Sequence, residues 1–140
     1  MKDVITFSLL VVDDDEDDRM IIDEAFREIG YEAQVKKFVN GKALLQYLDS
    51  IEPLLYPSLI VLDNTLPVLS AADILSALKQ NASYKDIPVV VYTSALSESK
   101  KEQLLTLGAS ACYVKGSTMP EVVELAKDLK AKAEAKTKNA

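Results

Sequence analysis

The residues best suited to chemistry in this sequence are carboxylates, a hydroxyl and an amine that each directly follow a short apolar run. Asp13 and Asp14 follow the first run, Asp63 follows the third, and Thr93 and Lys115 follow the last two. Three carboxylates brought within a few ångströms of one another cannot all stay ionised without a counter-charge. A divalent cation such as Mg²⁺ supplies that charge, because it takes oxygen ligands and prefers one or two carboxylates together with waters.

A set of this kind is suited to phosphoryl transfer. Asp63 would act as a carboxylate nucleophile that forms an acyl phosphate. Lys115 adds a mobile positive charge that suits a phosphate oxygen, and the hydroxyl of Thr93 can donate a hydrogen bond to another oxygen. Phosphoryl transfer requires mainly that a protein positions the reacting groups and neutralises their charge, so these residues together could support it.

Two kinds of segment alternate along the chain and would position these residues. Short runs rich in Val, Ile and Leu predict buried strands, and one weaker run interrupted by two lysines predicts an edge strand. Longer amphipathic segments between them predict helices. The predicted strands are Phe7–Val12, Val35–Val39, Ser58–Leu62, Val89–Tyr92 and Ala111–Val114. The predicted helices are Asp17–Ile29, Lys42–Leu48, Ala72–Leu78, Glu98–Leu107 and a last one that starts at the capping box Thr118–Glu121.

This alternation predicts an α/β protein with a doubly wound, five-stranded parallel sheet and helices on both faces. In such a sheet ligands bind outside the carboxyl ends of the strands, so the residues named above would meet at one edge. Residues 1–130 are predicted to form a single domain. Residues 131–140 are predicted to extend the last helix and then fray into a disordered tail.

Several polar residues near these positions have a simpler structural interpretation. Asp17 and Asp18 suit a helix N-terminus, where acids complement the helix dipole, and Ser97 is predicted to cap a helix. Taken alone, Asp63 could be a turn residue and Lys115 a surface lysine. The coincidence of suitable residues at every strand end favours chemistry over these separate explanations.

Composition excludes several classes of function. The chain of 140 residues has a formal net charge of −6, which argues against a nucleic-acid partner because a phosphate backbone needs a basic surface. Without histidine it can form neither a Ser-His triad nor its own phosphohistidine. The single cysteine, Cys112, rules out an internal disulfide and suits a reduced thiol. The first apolar run stops at Asp13, too soon for a signal peptide or a membrane span, so we expect a cytoplasmic protein without a membrane partner.

The sequence resembles the receiver domains of two-component response regulators, in particular the CheY-like, stand-alone ones. The resemblance covers nearly everything from Ser8 to Leu129. The segments that carry it are Leu10–Asp14, Leu59–Asp63 with Leu66–Pro67 after it, Pro88–Ser94, and Gly108–Ala109 ahead of Val114–Lys115. The resemblance implies a flavodoxin-like (βα)5 fold with the strand order 2-1-3-4-5.

Residue by residue, the resemblance implies a phosphoacceptor and a metal site. Asp63 corresponds to the phosphoacceptor, Thr93 to the switch hydroxyl, and Lys115 to the lysine that pairs with the phosphoryl group. For Mg²⁺ (or Mn²⁺), Asp14 is implied to be a direct ligand and Asp13 a ligand that acts mainly through water. The complete implied ligand set is Asp13, Asp14, Asp63 and the backbone carbonyl of Thr65.

Three positions depart from the family pattern. Ala71 stands where glycine usually follows the phosphoacceptor by eight residues. Gly116 replaces the proline that usually follows the lysine, which predicts a less rigid loop. Cys112 stands where an aromatic residue usually reports phosphorylation, with Tyr113 next to it. The usual aromatic switch is therefore not expected, and output would pass through the loop after Thr93.

Three functions stay open at this point. In the first, a sensor histidine kinase or a histidine phosphotransfer protein donates a phosphoryl group to Asp63, and the signal reaches an unidentified downstream protein by contact or relay. Such a protein is not an enzyme beyond its own phosphotransfer and autodephosphorylation. In the second, favoured by Cys112 and Gly116, a pseudo-receiver binds proteins without phosphorylation. In the third, the chain is a hydrolase of the haloacid-dehalogenase phosphatase type. Thr65 counts against this function, because it stands where that chemistry requires a second acid.

Overall fold

A computed structural model describes residues 6–138 as one five-stranded sheet with helices on both of its faces. The strands are β1 Leu9–Val12, β2 Val35–Phe38, β3 Leu59–Asp63, β4 Val89–Thr93 and β5 Ala111–Val114. The helices are α1 Glu16–Glu28, α2 Gly41–Ser50, α3 Ala71–Gln80, α4 Glu98–Thr106 and α5 Met119–Lys138. Short 3₁₀ turns at Glu32–Gln34 and Pro53–Leu55 precede β2 and β3.

The strands lie in the order β2-β1-β3-β4-β5, and every neighbouring pair is parallel. The fold class and the strand order predicted above are therefore confirmed. The register pairs Val12 with Leu62, Asp63 with Tyr92, and Thr93 with Val114. Because the strands run in the same direction and end nearly level, the residues that follow them share one edge of the sheet.

Burial explains why the three central strands form the rigid middle of the molecule. Every residue of β1, β3 and β4 is buried, as expected for strands covered on both faces. Alternate side chains point into two core layers, one against α2, α3 and α4 and the other against α1 and α5. Each fully buried Val, Leu or Ile contributes about 1.5–3 kcal/mol, so the ends of these strands are firmly held. The edge strands β2 and β5 are only partly buried.

Three helices begin one residue earlier than the sequence pattern predicts, because capping side chains set their first residues; α3 begins at Ala71, after its cap Ser70. Helix α1 begins at Glu16, since the side chain of Asp15 accepts a hydrogen bond from the N–H of Asp18 at 2.9 Å. Helix α2 begins at Gly41, and Asn40 caps it. Asn40 and Gly41 lie just ahead of the predicted start at Lys42, and they are the cap and the first residue of α2.

Two other helix starts agree with the predicted caps. The hydroxyl of Ser97 accepts from the N–H of Lys100 at 3.1 Å and caps α4. At the start of α5, the carboxylate of Glu121 accepts hydrogen bonds from the N–H and the hydroxyl of Thr118 at 3.1 and 3.0 Å. Hydrogen bonds from Thr118 and Ser117 lower the pKa of Glu121, so this box is anionic at neutral pH.

Helix α5 continues past the predicted domain boundary at residue 130 and reaches Lys138. The side chain of Ala133 is buried against the core layer that α5 shares with α1. The predicted frayed tail includes residues 139–140, which lie outside the described residues, and the division at residue 130 stays a prediction. In the described part of the chain, no helix combines the length and the apolar character that crossing a bilayer requires.

Candidate functional site

Three carboxylates meet at the carboxyl edge of β1 and β3. Asp13 is completely buried, Asp63 is 2% exposed, and Asp14 is exposed. One carboxylate oxygen of each lies within 4.8 Å of the others, and within residues 6–138 no other set of three His, Cys, Asp or Glu side chains meets this way. Oxygen donors buried on one side and open on the other fit a hard divalent cation such as Mg²⁺ or Mn²⁺.

Backbone hydrogen bonds fix the positions from which these side chains extend. The N–H of Asp13 donates to the carbonyl of Phe38 at 3.0 Å, and the N–H of Lys115 donates to the carbonyl of Thr93 at 2.8 Å. These bonds continue the sheet ladders beyond the ends of β1 and β5. The residues on either side of the site are therefore held almost as firmly as the strands themselves.

The amine of Lys115 lies among three carboxylates. Its Nζ is 2.8 Å from Asp18 Oδ2, 3.0 Å from Asp13 Oδ2 and 3.4 Å from Asp63 Oδ1. Burial acts to lower the pKa of Lys115, but the hydrogen bonds and charges of Asp18 and Asp13 outweigh it and raise the pKa above its ordinary value. The amine consequently stays protonated, and it is the local counter-charge for the cluster.

The carboxyl group of Asp63 is destabilised as an anion. Its burial and the neighbouring charge of Asp13 raise the pKa of Asp63, while the N–H of Thr65 and the charge of Lys115 oppose that rise. A raised pKa marks a carboxylate that gains from a nearby cation and that is a better nucleophile once ionised. The assignment of Asp63 as the phosphoacceptor stays a prediction.

Thr65 contacts Asp63 directly in the turn after β3. Its N–H lies 3.2 Å from Asp63 Oδ1, and its hydroxyl lies 3.2 Å from the same oxygen and 3.3 Å from Oδ2. These contacts orient the carboxylate of Asp63. The assignment of the Thr65 carbonyl as a metal ligand stays a prediction.

Thr93 lies at the same edge, but its hydroxyl is engaged elsewhere. It donates to the carbonyl of Ala95 at 3.1 Å and lies 3.4 Å from the N–H of Ala95. The side chain is buried, at 3% exposure, and it closes a small turn after β4. The assignment of Thr93 as the switch hydroxyl stays a prediction.

Two residues of this site escaped the sequence analysis. Asp18 was assigned only to the helix N-terminus, and that assignment is incomplete because its carboxylate also pairs with Lys115 at 2.8 Å. Tyr92 was counted only as part of a buried strand, whereas its hydroxyl donates to Asp13 Oδ2 at 2.5 Å. The available signal was the residue type, because a buried tyrosine hydroxyl usually needs a partner.

The structure shows the surroundings of the three positions that depart from the family pattern, and it explains the glycine at position 116. Ala71 is the fully buried first residue of α3, which Ser70 caps. A Cβ at Gly116 would lie 2.6 Å from the Cβ of Glu121 and 2.9 Å from its backbone carbon, so α5 approaches too closely for any side chain. Burial raises the pKa of the Cys112 thiol, which therefore stays protonated.

Comparison with known proteins gives a consistent result. Residues 9–127 match the family described as response regulator receiver domain. The probable methanogenesis regulatory protein FilR2 of Methanothrix harundinacea is 26% identical over 126 residues, which cover 89% of this chain and 81% of that protein. The polar-differentiation response regulator DivK of Brucella ovis is 25% identical over 123 residues, which cover 88% of this chain and 95% of DivK.

Solved structures support the same fold. The crystal structure of the Mn²⁺-bound form of response regulator Rcp1 superposes with a TM-score of 0.72 at 24% sequence identity. The match covers 88% of this chain and 91% of Rcp1. At this level of identity the likeness concerns the fold, and it agrees with the strand order described above.

Proposed function

The chain belongs to the family of response regulator receiver domains, and from that premise we propose that Asp63 accepts a phosphoryl group from a phosphohistidine on a partner protein. The observation that carries the proposal is the position of Asp63, nearly fully buried beside two other carboxylates and 3.4 Å from the amine of Lys115. A sensor histidine kinase or a histidine phosphotransfer protein is the class of donor that this chemistry requires, since the chain itself has no histidine.

In the proposed step, a carboxylate oxygen of Asp63 attacks the phosphorus of the phosphohistidine. The new P–O bond forms as the P–N bond breaks, and the imidazole of the donor leaves with the electron pair. The product is an acyl phosphate on Asp63. The amine of Lys115 pairs with one phosphoryl oxygen, and the hydroxyl of Thr93 donates to another.

The carboxylates of Asp13, Asp14 and Asp63, with the carbonyl of Thr65, would hold a divalent cation, Mg²⁺ or Mn²⁺. The all-oxygen donor set supports this choice, and the Mn²⁺-bound relative Rcp1 is a precedent. When bound, the cation offsets the charge of the carboxylates and of the incoming phosphoryl group. Asp14 is the best direct ligand of the pair after β1, because Asp13 already accepts hydrogen bonds on both of its oxygens.

Output follows from the movement of Thr93. In the present arrangement its hydroxyl closes the turn at Ala95, and pairing with a phosphoryl oxygen would open that turn. The loop between β4 and α4 then has two arrangements, and phosphorylation biases the equilibrium between them. A downstream protein that binds one arrangement better would receive the signal, either by contact or by accepting the phosphoryl group in a relay.

The test is incubation with a small phosphodonor such as acetyl phosphate and Mg²⁺, followed by intact mass measurement. The wild-type chain should gain one phosphoryl group, Asp63→Asn should gain none, and chelation of the cation should abolish the gain. Asp86→Asn is the matched control, because Asp86 is an exposed aspartate outside the site. A wild-type chain that neither gains mass nor binds beryllofluoride would instead be a phosphorylation-independent pseudo-receiver.

A further inference from the structure

We propose that Tyr92 is a positioning residue of the cation site, because its hydroxyl holds the carboxylate of Asp13 in place. This inference rests on the proposed function, since it concerns the same cation site. Tyr92 is the fourth residue of β4 and is only 2% exposed. Its hydroxyl lies 2.5 Å from Asp13 Oδ2, so the side chain spans from β4 to the residue that follows β1.

The hydrogen bonds of Asp13 show what Tyr92 contributes. A carboxylate offers about four lone-pair positions, two on each oxygen. Oδ2 accepts from the hydroxyl of Tyr92 and from the amine of Lys115 at 3.0 Å, and Oδ1 accepts from the N–H of Asp15 at 3.0 Å. Oδ2 is thus fully used by the protein, and Oδ1 is the oxygen left to serve a cation or one of its waters.

The two hydrogen bonds to Asp13 Oδ2, from Tyr92 and from Lys115, differ in whether they persist during the proposed reaction. In the proposed reaction Lys115 turns toward the phosphoryl group on Asp63, and its contact with Asp13 weakens. Tyr92 has no such second task, and its ring is packed in the core layer beneath α1 and α5. The hydroxyl of Tyr92 is therefore the contact that keeps Asp13 oriented while Lys115 moves.

A tyrosine suits this position for an electrostatic reason. Its hydroxyl satisfies a buried carboxylate with a neutral donor, so the negative charge of Asp13 stays available to a cation. A second lysine would neutralise that charge and compete with the metal.

Tyr92→Phe isolates the hydroxyl. The ring centroid of Tyr92 lies 4.6 Å from the Nζ of Lys115, and phenylalanine preserves that cation–π contact. Removing the outer partner of a metal-binding carboxylate typically weakens metal affinity by about 10-fold or more. We expect calorimetric titration with Mg²⁺ to show about a 10-fold higher Kd. The Mg²⁺ concentration that gives half-maximal labelling by acetyl phosphate should rise by about the same factor.

Tyr84→Phe is the matched control. Tyr84 is also buried, and its hydroxyl also donates to a carboxylate, that of Asp49. Tyr84 packs in the core layer on the opposite face of the sheet, and its partner Asp49 is an exposed residue of α2. We expect Tyr84→Phe to lose a similar amount of thermal stability and to keep the wild-type Kd for Mg²⁺.

A double-mutant cycle separates positioning from general destabilisation. In an Asp13→Asn background the hydroxyl of Tyr92 no longer orients a charged ligand, so adding Tyr92→Phe should leave the Kd for Mg²⁺ unchanged. An unaltered Kd in Tyr92→Phe alone, or the same 10-fold loss with and without Asp13, would overturn the inference. A wild-type chain that binds no Mg²⁺ would overturn the proposed function itself, which the same titration reveals before any variant is compared.

Discussion

Lys115 is shared among three carboxylates before any phosphoryl group arrives. Its contacts with Asp13 and Asp63 are expected for a lysine that serves the reaction, whereas the contact with Asp18 at 2.8 Å draws the amine toward α1. The carboxylate of Asp18 is 37% exposed, so this ion pair is partly screened by water and is weak. In the proposed reaction Asp18 would therefore compete with the phosphoryl group for the amine of Lys115, at a modest energetic cost.

Replacing Asp18 should speed the phosphorylation of Asp63. In Asp18→Asn the amine of Lys115 is released from one partner, and one negative charge near the anionic donor is removed. A partly exposed ion pair contributes roughly 0.2–1 kcal/mol, so we expect an increase of about 1.4- to fivefold in the rate of labelling by acetyl phosphate.

The control for this prediction is Asp17→Asn, which removes the same charge from the same turn of α1. Asp17 is exposed, so its replacement tests general electrostatic repulsion alone. Equal rates for the two variants would mean that the contact with Lys115 has no specific effect. Slower labelling in Asp18→Asn would mean that Asp18 instead holds Lys115 ready for the reaction.

Residue types and their positions after apolar runs were enough to predict the three carboxylates, Thr93 and Lys115 as neighbours. The roles of Asp18 and Tyr92 were beyond the same reasoning. The contact of Asp18 depends on how the first turn of α1 faces the loop after β5, which no local pattern encodes. Tyr92 satisfies a strand pattern as a bulky apolar residue, and only the fold shows that its hydroxyl reaches a buried carboxylate.

At the scale of elements, the close approach of α5 to the loop after β5 links helix packing to the position of Lys115. Gly116 follows Lys115 directly, and α5 fills the space that a side chain at position 116 would occupy. The predicted looseness of this loop is therefore offset by a tight contact. A glycine here serves a close approach of two backbones rather than a special backbone angle.

Gly116→Ala should push the first turn of α5 away from the loop and shift Lys115. The added Cβ would lie 2.6–2.9 Å from atoms of Glu121, including its backbone carbon, and only part of that overlap can be relieved by a side-chain movement. Overpacking of this kind typically destabilises a protein by about 1–3 kcal/mol. We expect a lower midpoint of chemical unfolding together with slower labelling of Asp63.

Gly30→Ala is the contrasting variant for this experiment. Gly30 follows α1 with φ of +70°, and a Cβ there would meet nothing within 4 Å. Alanine at that position costs about 1 kcal/mol or slightly more through backbone strain alone. It should therefore lower stability while labelling stays at the wild-type rate. If labelling is slower in both variants, the slower labelling of Gly116→Ala results from reduced stability and not from a displaced Lys115.

Element types and their order were predicted well because each has a strong periodic signal. Ala111–Val114 was predicted with the bounds of β5, β3 is shifted by one residue at both ends, and the other strands differ by one or two residues at one end. Helix starts were less predictable, since Asp15, Asn40 and Ser70 act as caps through hydrogen bonds to backbone N–H groups. The same residue types, such as Ser, Asp and Asn, cap helices and form turns, and only the backbone geometry distinguishes the two roles.

At the scale of the whole molecule, the fold concentrates negative charge at one edge of the sheet and compensates it only in part. Asp13 and Asp63 are buried at the ends of two adjacent strands, and a single amine lies between them. Their mutual repulsion opposes folding, because the unfolded chain keeps these carboxylates apart and hydrated. The stability of the domain should consequently depend on whether a cation is bound.

Mg²⁺ should therefore stabilise the entire domain and not merely the site. A ligand that binds only the folded state adds RT ln(1 + [L]/Kd), which amounts to about 2.7 kcal/mol when its concentration is 100 times Kd. For a domain of this size such a gain raises the unfolding midpoint by roughly 5–10 °C. Thermal unfolding of the wild-type chain with Mg²⁺ and with a chelator measures the difference directly.

The charge variants distinguish binding at this site from a general salt effect. Asp14→Asn removes the exposed carboxylate that is proposed to bind Mg²⁺ directly, so most of the rise in midpoint should disappear, whereas Asp86→Asn should retain all of it. Asp63→Asn should be more stable than the wild type in chelator, because it relieves the repulsion with Asp13, and should gain little from Mg²⁺. An equal rise in midpoint for the wild type and the three variants would mean that the site carboxylates do not share one cation. A general salt effect would not depend on which aspartate is replaced.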